Sequence, residues 1–228
     1  MFLTKQGKNT HAIHVTIIFT LSEWSIMKTF FTSACLLACV VAHADDSPWR
    51  LYAAGGTATG GDTVFNGRLI EDETNKVTPF EIKPGTGIPL RLGAEYRLSS
   101  TLSLRGSLGR MVTDPMGYNA SATFTTTSTE AMGLFFLTDA LRLGIGVRQS
   151  TAVMQGTGLA ENMPSIGAYT GKNGALIEAQ YLFSNDTARP KSRQPQVGVT
   201  LRFVSESFQR NDLTMNGDHY EVGLALYF

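Results

Sequence analysis

The chain of 228 residues is poor in the groups that carry most chemistry. It has two cysteines, four histidines and two tryptophans. Three of the histidines and both cysteines fall before Asp45, so from there on His219 is the sole imidazole and no disulfide or thiol chemistry is open to the chain. Charge of either sign is also scarce: the 19 Lys and Arg balance the 19 Asp and Glu. No run reaches the roughly 20 apolar residues that a membrane-crossing helix needs. Nothing in this balance suits nucleic acid. A metal-ligand cluster and a phosphate-binding loop are lacking too; "GGTATGG" at Gly55–Gly61 is without the lysine and helix of a P-loop. No cofactor is expected.

The front of the chain reads as a targeting segment. "MKTFFTSACLLACVVAHADD" begins at Met27 with a charge at Lys28, continues in an apolar run from Phe30 to Val41, and ends in Ala42-His43-Ala44, a small-x-small cleavage site. Residues 27–44 are therefore expected to be a secretory signal peptide, and residues 1–26 an upstream extension from an early start codon, with a long n-region as the rival. Leu36-Leu37-Ala38-Cys39 also reads as a lipobox that would leave a lipidated Cys39. Cutting after Ala44 removes Lys5, Lys8, Lys28 and Glu23, so that the 19 basic residues fall to 16 and the 19 acidic ones to 18. The domain proper is expected over 45–228.

What that domain has in quantity is alternation. Tyr220, Val222, Leu224, Leu226 and Phe228 share one parity, with Glu221, Gly223, Ala225 and Tyr227 on the other. Period two over nine residues means a strand with one apolar face. The same pattern recurs at Ile88–Leu98, Leu102–Leu108, Leu141–Val147, Ala175–Phe183 and Val197–Phe203, and more weakly in "PWRLYAAGG" and "EAMGLFFL". The last is apolar on both parities, so its faces stay unassigned. Eight strands are expected.

The second parity mixes Gly with Arg and Glu, and Gly85–Arg110 holds no lysine. Small residues and paired large charges suit the cramped lumen of a narrow barrel whose apolar face meets lipid. A soluble, periplasmic β-sandwich is the alternative and would put the apolar parity inside. Short turns at Ser99–Thr101 and Thr138–Ala140 alternate with long polar segments at Ala58–Gly87, Thr113–Ser121, Thr151–Gly174 and Ser205–Asp218. That gathers four long loops at one end of a barrel, as in bacterial outer-membrane proteins. Ser184–Gln194, with Arg189, Lys191 and Arg193, is the exception. Pro89 would break a ladder bond unless it lies at the outer rim.

This series of strands resembles the eight-stranded outer-membrane β-barrels of the OmpA/OmpX type, over about residues 48–228. The resemblance implies an all-β, eight-stranded antiparallel up-and-down barrel in the outer membrane of a Gram-negative envelope, among outer-membrane lipids and lipopolysaccharide. It also implies that the final strand, with Tyr220, Val222, Leu224, Leu226 and Phe228, is the signal read by the barrel-assembly machinery.

The inward parity collects Arg50, Arg91, Arg105, Arg142, Arg148 and Arg202 with Glu95, Glu178 and Glu221. A salt-bridged plug closing the lumen is the plainer expectation, because buried charges must be paired. Six Arg against three Glu would otherwise favour a narrow anion pore. A lipid A-modifying enzyme is a further alternative: His219 lies near Ser205, Glu206 and Ser207, the residue types of base, orienter and nucleophile. A lone histidine beside a polar segment is more ordinarily a solvated loop residue, and no motif of the lipid A deacylase or palmitoyltransferase families is present. "SATFTTTSTE", Ser121–Glu130, is either an edge offered to a partner or the hydrophilic upper part of a strand. A non-enzymatic surface or envelope-integrity protein is expected, with host or envelope partners at its loops.

Overall fold

A computed structural model describes residues 47–71, 76–113, 120–158, 161, 164–183 and 195–228. The extension, signal peptide and lipobox expected over 1–44 lie outside the described residues, as does the connection Ser184–Gln194. Thirteen strands are described: β1 (Trp49–Gly60), β2 (Phe65–Glu71), β3 (Lys76–Ile82), β4 (Ile88–Arg97), β5 (Leu102–Thr113), β6 (Ala120–Phe136), β7 (Leu141–Gly158), β8 (Gly167–Gly171), β9 (Gly174–Phe183), β10 (Gln196–Ser205), β11 (Ser207–Arg210), β12 (Leu213–Asn216) and β13 (His219–Tyr227).

Eight of them close a barrel in the order β1-β4-β5-β6-β7-β9-β10-β13, every neighbour antiparallel. Closure is made by β13 on β1, from Tyr52↔Tyr227 to Gly60↔His219, and two further bonds join the Leu51 and Phe228 backbones at 3.1 Å each. A closed sheet has no edge left to satisfy. Tight turns join β4 to β5 and β6 to β7, where the Leu98 and Leu137 amides donate to the Leu102 and Leu141 carbonyls. Pro89 is accommodated by a gap: the β1–β4 ladder ends at Gly55↔Leu90 and resumes only as the bridge Ala58↔Gly87.

At the end opposite the turns, three of the segments expected as long loops, Ala58–Gly87, Thr151–Gly174 and Ser205–Asp218, are largely strand among the described residues, while most of Thr113–Ser121 lies outside them. β12 continues the register of β13 on its β10–β11 partner, and β11 continues β10 without a change of parity. β8 continues β9 across a bulge at Lys172–Asn173, where two successive exposed residues shift the register against β7 by one. With 17 residues in β6 and 18 in β7, against the roughly 9–11 that cross a bilayer, one wall of the barrel stands well beyond the lipid. β2 and β3 form a separate hairpin. "SATFTTTSTE" belongs to β6, bonded to β7 throughout and to β5 from Phe124 onward, so it offers no open edge over that stretch.

Outside, the lower barrel is apolar. Leu90, Leu92, Leu104, Leu108, Leu143, Ile145, Ile177, Leu201, Val222 and Leu224 are all exposed. Trp49, Tyr181, Phe183 and Phe228 lie exposed near the turn end, and Trp49 packs on Tyr96 with ring centroids 4.8 Å apart. Inside are buried arginines and glutamates. An apolar exterior around a charged interior inverts a soluble sandwich and fits a barrel whose outer face meets hydrocarbon. The protein is a membrane-spanning barrel of the outer-membrane type.

A buried charge network under an apolar roof

Alternation along the barrel strands turns one residue in two inward, and eight strands leave a lumen that side chains fill. Arg202 on β10 is its centre. Its guanidinium meets Glu130 at 2.8 Å, Glu221 at 3.0 Å and Glu178 at 3.2 Å, with no part of the side chain exposed. Glu221 also receives Arg91, and lies 3.6 Å from Arg148. Arg148 bonds Glu130 at 3.2 Å and pairs with Glu206 at 3.1 Å. Toward the turns, Arg105 donates to Glu178 at 2.5 Å and to the Tyr227 hydroxyl at 3.1 Å, which in turn donates to Gln180. Arg142 bonds both oxygens of Glu95, and Ser103 donates to the same carboxylate. Arg50 is half-buried and lies over the Tyr227 ring at 5.2 Å, so it joins through an aromatic face.

Among the described residues the buried set is therefore five arginines against five glutamates: Arg91, Arg105, Arg142, Arg148 and Arg202 with Glu95, Glu130, Glu178, Glu206 and Glu221. With half-buried Arg50 counted, the expected six Arg over three Glu becomes six over five, because Glu130 and Glu206 join the set, and the reason for an anion-selective lumen weakens accordingly. Glu130 was hidden because "EAMGLFFL" is apolar on both parities; the alternation Thr126, Ser128, Glu130 just before it, all buried, is the signal that places it. Glu206 was hidden because its segment read as a loop.

His219 also differs from the solvated loop residue expected of it. It is 1% exposed. Its Nδ1 lies 2.7 Å from the Gly217 carbonyl and its Nε2 3.2 Å from Glu221. Gly85 covers it, at a distance where an added Cβ would lie 2.6 Å from the His219 Cβ. Glu206 comes within 3.8 Å of the ring, but its other oxygen accepts from Ser150 at 2.6 Å. Ser205 and Ser207 are both half-buried, flanking the buried Glu206 on the opposite parity. Ser150, Glu206 and His219 thus form one buried cluster.

What covers it is a second, unexpected layer. Ile82, Ala122, Phe124, Ala152, Met154, Tyr169, Phe208 and Met215 make one buried apolar cluster inside the extension, with Val64, Phe65 and Ile166 packed against it. Phe124 lies edge-on to Phe208 at 5.9 Å and tilted against Tyr169 at 5.7 Å. β6, β7, β8, β11 and β12 contribute because the barrel sheet continues past the membrane, and the separate hairpin adds Ile82 of β3. The residues of the proposed assembly strand, Tyr220, Val222, Leu224, Leu226 and Phe228, are all exposed on the outer face.

No family model matches the sequence, and no curated protein matches it either. Solved structures do share the architecture. The attachment invasion locus protein Ail of Yersinia pestis, solved with the heparin analogue sucrose octasulfate, is 12% identical over 79% of this chain and 99% of its own, with a TM-score of 0.44. Neisserial surface protein A is 12% identical over 79% of this chain and 96% of its own, at 0.46. The outer-membrane protein OprG of Pseudomonas aeruginosa is 10% identical over 80% and 97%, at 0.39. Likeness at these values is one of fold and brings no ligand or activity with it.

Proposed function

We propose that this chain is a closed, non-enzymatic barrel that acts at the cell surface through its extension, as an envelope-integrity or adhesion protein. The observation that carries the reading is the double seal of the lumen: balanced, mutually bonded charges below and an apolar cluster above. Eight strands leave little space beyond their own side chains, and here buried arginines, glutamates, Tyr52, Gln180 and Tyr227 lie across the inward glycines and other small residues. The burial of His219 under the roof supports the absence of catalysis. Partners of the extension would be lipopolysaccharide, a host surface or another envelope protein, with the exposed outer face of β13 as the surface offered to the assembly machinery.

Conductance across a planar bilayer tests the seal. The expected result is no unitary current at either polarity; steady single-channel steps from the folded protein would replace this reading with a pore.

A further inference from the structure

One cross-strand rank on the outer face runs without a break over seven strands. Leu90 pairs with Arg110, Arg110 with Thr127, Thr127 with Thr151, Thr151 with Thr170, Thr170 with Gln209, and Gln209 with Thr214. All seven side chains are exposed. The order along it is chemical: an apolar residue within the lipid-facing band, one guanidinium, then four hydroxyls and one amide with no charge among them. Neighbouring strands are about 4.7–4.9 Å apart, so the polar part forms a closely spaced row of donors and acceptors. Thr125 and Thr129 flank Thr127 on the same face of β6 and widen the row.

We propose that this rank is a docking surface for a glycolipid of the surrounding leaflet, one with an anionic group at its lipid end and uncharged sugars beyond. The inference rests on the membrane reading above and deepens it by naming the partner. Its warrant is continuity with the lipid-facing surface. A molecule whose chains lie against Leu90 and Leu108 must place its headgroup at Arg110, and whatever stands above that headgroup must meet Thr127, Thr151 and Thr170. Guanidinium geometry suits phosphate or carboxylate oxygens, and hydroxyls and amides both donate and accept, as sugar hydroxyls require. A protein partner would be better served by exposed aromatic anchors, and the rank has none.

The test uses the folded full chain in zwitterionic detergent micelles, with thermal unfolding followed on addition of three amphiphiles: lipopolysaccharide with a short sugar core, lipid A without the core, and phosphatidylglycerol. Ligands of the folded state raise its midpoint. Core-bearing lipopolysaccharide is expected to raise it most, lipid A less and phosphatidylglycerol least. The triple variant Thr127→Val, Thr151→Val, Thr170→Val should keep the lipid A shift and lose the extra shift due to the core, while serine at the same three positions should retain both. Arg110→Gln should lose most of the lipid A shift, an arm that stands even if the valine variant does not fold. An undiminished core effect in the valine variant, an unchanged lipid A shift in Arg110→Gln, or equal shifts from phosphatidylglycerol and lipopolysaccharide would each overturn the proposal. A chain that never folds into micelles would instead sink the membrane reading itself.

Discussion

The inside of this barrel holds two regions built by opposite means on the same strands. From the turn end up to Arg148 and Glu206, inward positions carry charges that neutralise one another, with apolar side chains such as Met132, Leu134 and Leu176 packed among them; above Ser150 the same parity of β6, β7 and β11 carries Phe124, Met154 and Phe208. Taking a charge out of water costs several kcal/mol even after relaxation, and only close opposite charges with further hydrogen bonds offset it. Each buried glutamate has such a partner here. The roof keeps water away from the upper pairs and so strengthens them. The lesson is that the two layers depend on each other: an apolar roof over unpaired charges, or paired charges open to water, would each be weaker.

Removing the central cation should break the lower region hardest. Arg202→Leu leaves Glu130, Glu178 and Glu221 short of a shared partner, and loss of one member of a buried ionic group costs about 3–5 kcal/mol. Denaturant unfolding in micelles, read by gel mobility with and without boiling, measures it; a loss under about 1 kcal/mol would mean that water already reaches the network. A double-mutant cycle with Glu178→Gln sharpens the result, because removing both partners should cost less than the two single losses together.

The roof should answer differently. Phe124→Ala removes the ring that contacts both Phe208 and Tyr169, at a cost of about 3 kcal/mol for a buried aromatic. Faster amide hydrogen exchange is expected at His219 and Glu206 beneath the gap, while the bilayer stays without current because the charged layer still fills the lumen. Current in this variant alone would show that the roof, and not the charge network, is what closes the barrel.

A smaller effect tests the seam between the regions. Ser150 accepts from the Arg148 Nε at 2.9 Å and donates to Glu206 at 2.6 Å, so Ser150→Ala removes one hydrogen bond to a buried carboxylate, about 1–3 kcal/mol. A variant as stable as the parent would mean that Arg148 satisfies Glu206 unaided.

How much of this could be read from the sequence depended on whether alternation was clean. Val197–Phe203 and Tyr220–Phe228 show one apolar parity and one small or charged one, so their faces, and the placing of Arg202 and Glu221, were legible. β6 was not, because Met132 and Leu134 point inward among the charges while Phe135 and Leu137 point outward. Both faces of that stretch are apolar for different reasons, and periodicity cannot separate them. The roof was illegible for another cause: the bulge at Lys172–Asn173 reverses parity in mid-strand, and a polar exterior made β8, β11 and β12 look like loops.

The mildest test sets an ion pair outside the barrel against those within. On the β3 side of the hairpin, Lys83 lies 2.7 Å from Glu81 and Thr63 donates to the same carboxylate at 3.3 Å, with Glu81 and Thr63 exposed and Lys83 half-buried. The hydrogen bond and charge of Lys83 hold the Glu81 carboxyl below the usual glutamate range. A carboxylate whose folded value is depressed favours folding at pH above its unfolded value, about 4.3, and that contribution is lost as pH falls through the lower folded value. Screening by solvent and salt keeps it small. Titration of the Glu81 carboxyl by NMR should give a midpoint below that of an ordinary glutamate, moving upward in Lys83→Gln and in high salt, with global unfolding unchanged. An Arg202→Leu loss of similar negligible size would erase the distinction between exposed and buried pairs; a Glu81 midpoint that ignores Lys83 would show that the exposed pair does not form in solution.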